Sequence, residues 1–103
     1  MKAKFLKIIK HYGVNHQQRK LEEEVFELQE AITLYEWDHK MTCGADAFYH
    51  KEHIVEEIAD VCVMLHQFVE YYRITPVEIY RFMEQKIGRQ IERIKNESNR
   101  FIK

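Results

Sequence analysis

From Leu21 the chain steps by four and three through Val25, Leu28, Ile32 and Tyr35. From Ile54 it does so again through Ile58, Val61, Leu65, Phe68 and Tyr72. Apolar residues at that spacing line one side of an α-helix, whereas a half-buried strand needs strict alternation, which no segment provides. Breakers are scarce: three glycines and one proline in 103 residues. Long helices are therefore expected.

The remaining punctuation divides the chain into four helices. Residues 2–12 place Phe5, Leu6, Ile8, Ile9 and Tyr12 at helical spacing with lysines opposite, and Gly13 stops them. Asn15 suits an N-cap for a second helix, with Gln18 in capping-box position, and that helix runs to about Trp37 or His39. DHKMTCGADAF, with Gly44, is the one long connection. A third helix starts between Asp46 and Lys51. Thr75-Pro76-Val77-Glu78 is a strong helix start, and the fourth helix carries Val77, Tyr80, Phe82, Met83, Ile87, Ile91 and Ile94. Short connections imply antiparallel neighbours, so the expected fold is all-α, an antiparallel four-helix bundle forming a single domain over residues 1–103.

A net charge of −1 with 32% charged residues gives no global bias toward nucleic acid or a membrane surface, so electrostatic function must come from local clustering. No apolar run is long enough to cross a bilayer. The start MKAKFLKIIK alternates lysine with apolar residues, unlike a signal peptide, and Cys43 and Cys62 form no CxxC pair. The expectation is a cytoplasmic protein with reduced thiols. His50 and His53 have HxxH spacing, but there is no HExxH, and a di-iron bundle needs ExxH on two helices.

The acidic residues repeat a design. With Leu21 at zero on a helical projection, Glu24 falls at about −60° and Glu27 at about −120°; with Ile54 at zero, Glu57 and Asp60 fall at the same angles. Each helix thus offers a carboxylate pair at i and i+3 on the same shoulder of its apolar stripe. A lone pair of this kind is usually a solvated face. Two matched pairs facing one groove would repel, raise one another's pKa values and call for cations. Hard oxygen donors without His or Cys suit Mg²⁺ or Mn²⁺.

At these residues the chain resembles a known family. LEEEVFEL followed by EEIAD matches the EExxE…ExxD signature of the MazG-like all-α nucleoside triphosphate pyrophosphohydrolases. HQQRKLEEEVFELQEAI with HIVEEIADVCVMLHQF looks especially like their short single-domain phage and bacterial members, from His16 to about Arg93. The gap between Glu27 and Glu57 lies at or beyond the long end of the family pattern, the excess falling in WDHKMTCGADAFYH.

The resemblance implies that Glu24, Glu27, Glu57 and Asp60 hold Mg²⁺ (or Mn²⁺), with Glu23 as a further ligand or as the base for the attacking water. It implies Mg²⁺-dependent hydrolysis of nucleoside triphosphates, deoxy or non-standard, to a monophosphate and pyrophosphate. It places Lys86, Gln90 and Arg93 on the phosphates, with Gln90 standing where the family has Asn, and Gln17 near the base or sugar. It also implies a homodimer or homotetramer, with the first helix and the aromatics Phe48, Tyr49, Tyr71 and Tyr72 at the interface. Tyr35 and Trp37 would stack on a base or serve packing. The competing reading is a non-catalytic oligomerisation or nucleotide-binding regulatory module, which has no need of matched carboxylate pairs beside a basic helix.

Overall fold

The computed structural model describes the backbone of residues 1–41 and 47–100, and the side chains of these except at 39, 41 and 47–50. Among these residues four helices follow one another: α1 (Lys2–Tyr12), α2 (Val14–Met41), α3 (Ala47–Tyr71) and α4 (Pro76–Arg100). No strand occurs among the described residues. Two compact units make up the chain, Met1–Tyr72 and Arg73–Lys103.

α1 and α2 are separated by a single residue. Gly13 has φ 91°, a left-handed conformation that disfavours a side chain, and its amide donates to the Ile9 carbonyl at 2.8 Å. The Gly13 carbonyl then accepts from the Gln17 amide at 3.1 Å, so α2 starts at Val14. Asn15 therefore lies inside the first turn and is not the N-cap its residue type suggested; Gly13, immediately before Val14, holds that position. α2 also runs to Met41, past the expected Trp37 or His39, and α3 begins at Ala47, which narrows the connection. Thr42, Cys43, Gly44, Ala45 and Asp46 lie outside the described residues.

Within the first unit α2 packs on α3, and α1 packs on both. Ile9 is fully buried, worth about 1.5–3 kcal/mol of apolar transfer. Phe5 of α1 stacks on His66 of α3 with ring centroids 5.1 Å apart. α1 thus places Ile9 in the core of its own chain.

The buried faces of α2 and α3 are displaced from their apolar stripes. Among the described side chains, those buried on α2 are Gln17, Glu24 and Ala31, each seven after the last, and those on α3 are Met64 and Gln67. Val25, Ile32, Ile58 and Leu65, expected at the centre of the core, are 37–48% exposed. The physical reason is α1, which covers the side of α3 that bears Met64 and Gln67 and draws burial toward the carboxylate shoulder.

α3 ends at Tyr71, and Arg73 follows in a left-handed conformation with φ 55°. α4 then opens on the capping box that its sequence announced. The Thr75 amide and hydroxyl donate to Glu78 Oε2 at 2.7 and 3.0 Å, and the Glu78 amide donates back to Thr75 Oγ1 at 3.3 Å. Its apolar stripe, from Val77 to Ile94, is exposed throughout, and no residue of α4 is buried. No helix among the described residues is long and apolar enough to cross a membrane.

Candidate metal and anion site

The displaced packing puts carboxylates where a bundle normally buries apolar groups. Glu24 reaches from α2 toward Glu57 and Asp60, one turn apart on α3. One ligand oxygen from each of the three lies within 4.8 Å of the other two. The side chains of Glu24 and Glu57 are only 11% and 12% exposed. Each keeps one oxygen, Oε2, buried without a hydrogen-bond partner. A buried carboxylate oxygen with no donor is costly, and the cost is lifted when a cation takes that place.

The other oxygen of each carboxylate meets a basic side chain one turn earlier on its own helix. Lys20 Nζ lies 3.4 Å from Glu24 Oε1, and His53 Nδ1 lies 3.8 Å from Glu57 Oε1. The correspondence seen in sequence, Glu24 with Glu57, thus extends to Lys20 with His53. Burial raises the Glu24 pKa above the ordinary carboxylate range; contact with Lys20 opposes that shift, and the charges of Glu27 and Asp60 add to it. Three oxygen donors from carboxylates, two of them unpaired, fit a hard divalent cation such as Mg²⁺ or Mn²⁺.

Not every expected ligand joins this cluster. Glu27 is exposed and outside the close group, although its charge is felt at Glu24. Glu23 points largely into solvent and shares Lys20, 3.4 Å away. Lys86, Gln90 and Arg93 lie at i, i+4 and i+7 on α4, exposed in the second unit. Trp37 is exposed and Tyr35 half-buried.

Beside the carboxylates lies a cleft of about 560 Å³, within the range of small-molecule sites. Gln17 and Gln67 line it, both almost fully buried, and Gln17 Nε2 donates to Gln67 Oε1 at 2.8 Å. Gln17 Oε1 accepts from His16 Nδ1 at 2.7 Å, and Gln67 Nε2 donates to Met64 Sδ at 3.6 Å. His16 in turn stacks on Tyr12, ring centroids 5.0 Å apart. Gln17 was singled out from sequence; Gln67 and Tyr12 were not. Nothing near Gln67 in the chain marks it, because its partner stands on another helix. Lys20 did carry a signal, four residues before Glu24. It lines the same cleft and touches the carboxylates, so it joins the two parts of the site. No protein-family model, curated protein or solved structure matches the chain, so its own residues must carry the reading of this site.

Proposed function

We propose that this chain is a Mg²⁺-dependent nucleoside triphosphate pyrophosphohydrolase of the MazG-like kind, acting on deoxynucleotides or non-standard nucleotides. The observation that carries the reading is the pair of orphaned, buried oxygens on Glu24 and Glu57, converging with Asp60 from two helices. Mg²⁺, or Mn²⁺ in its place, would neutralise triphosphate charge at these oxygens and lower the pKa of the attacking water. Glu24, Glu57 and Asp60 hold the ion, and Glu27, on the same helix as Glu24, adds charge at the rim.

Water attacks the α-phosphorus in line, and the bond from that phosphorus to the oxygen bridging the β-phosphorus breaks. Nucleoside monophosphate keeps the new oxygen, and pyrophosphate leaves with the bridging one. Glu23, solvent-facing and already paired with a lysine, accepts the proton of the water. Gln17 meets the nucleoside in the cleft.

A second copy of the chain covers the exposed apolar residues of α2, α3 and α4, giving a homodimer or homotetramer. Those same exposed residues favour the alternative, a non-catalytic assembly module. Incubation with a panel of NTPs and dNTPs plus Mg²⁺, with products identified, separates the two. Monophosphate and pyrophosphate are expected. Diphosphate and orthophosphate would move the cleaved bond, and no product with any nucleotide would leave the assembly module standing.

A further inference from the structure

We infer that Lys20 is a built-in counter-ion of the carboxylate site, displaced when a divalent cation binds and then turned to an anionic group in the neighbouring cleft. Two observations meet at this side chain. Its ammonium stands 3.4 Å from both Glu23 Oε2 and Glu24 Oε1, contacts which raise the Lys20 pKa. The same residue lines the cleft of about 560 Å³ whose lining also includes the Gln17–Gln67 amide pair.

Glu24 is nine-tenths buried, and its second oxygen has no partner. Lys20 therefore neutralises half of a carboxylate and leaves the other half open toward Glu57 and Asp60. An ion bound there would lie close to the ammonium, and two cations at such separation repel. The lysine side chain is 43% exposed, so it is free to swing on its own stem without repacking the helix. The cleft it already borders is where it would turn, and an ammonium there suits phosphate oxygens. Metal and polyanion are then coupled through one residue: each cation that displaces Lys20 frees a donor for the anion, and by linkage the anion tightens the metal. His53 occupies the matching place before Glu57, but at 3.8 Å its hold is looser, and it lies outside the residues lining the cleft.

The inference rests on the metal-site reading above, and its test separates the two. Calorimetric titration of the unliganded protein with Mn²⁺, and of the Mg²⁺-loaded protein with tripolyphosphate, is run on wild type and Lys20→Met. Removal of a competing cation is expected to tighten Mn²⁺ several-fold, while loss of the freed donor weakens tripolyphosphate by about tenfold, the size of a charge-assisted contact. A merely structural lysine would move both affinities down together, and that result overturns the inference. Unchanged Mn²⁺ affinity in Lys20→Met overturns it too, leaving the metal site intact. Failure of the wild type to bind Mn²⁺ overturns the metal site itself and the role of Lys20 with it. Lys20→Arg keeps the charge and is expected to restore wild-type tripolyphosphate affinity; if it behaves as Met does, the swing of a cation is refuted.

Discussion

α2 and α3 bury polar groups where a bundle would carry leucines, and α4 holds a leucine-like stripe in solvent. Glu24, Gln17 and Gln67 are among the most enclosed side chains of the first unit, whereas Ile87, Ile91 and Ile94 are each at least half exposed in the second. Both arrangements are unfavourable for an isolated chain. Buried polar groups forgo apolar transfer energy and tolerate no missing partner. An exposed apolar stripe marks a surface that something else covers. Under the proposed function, the first unit gives up stability for a site, and the second for an assembly surface.

The sharpest way to break that contrast is to neutralise the buried charge. Glu24→Gln or Asp60→Asn should reduce turnover by about 100-fold or more, on the scale of losing one electrostatic contact in a site. Glu24→Gln should also leave the metal-free protein at least as stable at neutral pH, since burial disfavours the ionised Glu24 side chain. Product assays and thermal melts with a chelator read the two effects. Full activity in both variants would remove the carboxylates from the site. A strongly lowered melting temperature for Glu24→Gln would make the charge a structural element instead.

The amide pair sharpens the same side of the comparison. Gln67→Ala leaves the Gln17 Nε2 donor without its partner in a buried place, and should cost about 2–3 kcal/mol in chemical denaturation. Gln17→Leu combined with Gln67→Leu should recover most of it, because replacing both partners by apolar groups is nearly neutral. Additive losses in the double variant would show that the pair gains its energy from packing rather than from satisfying each other.

On the other side, Ile87→Glu with Ile91→Glu should convert the proposed dimer or tetramer to monomer in sedimentation velocity. Exposed positions on a free monomer tolerate such changes within about 0.5 kcal/mol, whereas central interface positions cost more than about 2 kcal/mol. Assembly that survives both glutamates would assign the stripe elsewhere.

These contrasts also mark what the sequence could disclose. The period of apolar residues and the Thr75–Glu78 signal announced all four helices and the start of α4, because both are local. The match of Glu24 with Glu57 was legible for the same reason, since each precedes its stripe at the same angle, but Glu27, expected to converge as Asp60 does, stays outside the close group. Which side of each helix turns inward was not local. Val25 and Ile58 looked central and lie exposed because α1 draws α3 toward Met64 and Gln67. Asn15 misled by residue type, because the positive φ of Gly13 turns the chain so that α2 starts two residues earlier, at Val14. The Gln17–Gln67 pair needed two helices to be docked before either amide had meaning.

The smallest expected effect lies at the start of α4 and asks whether this helix holds itself. Thr75→Ala removes the hydroxyl that accepts the Glu78 amide and should lower local helix stability by about 1 kcal/mol. The Thr75 amide and hydroxyl hold the Glu78 carboxyl below its ordinary range. A depressed folded-state pKa means the unfolded chain binds the proton more readily. The contribution is therefore present above the unfolded value, near 4.5, and is lost as pH falls through the lower folded one. Amide hydrogen exchange along α4 should speed up across that acid window in the wild type and lose this pH step in Glu78→Gln. A step of equal size in both proteins would mean that the acid response belongs to other carboxylates. An unchanged exchange rate in Thr75→Ala would mean that contacts of the apolar stripe, and not the cap, keep α4 helical.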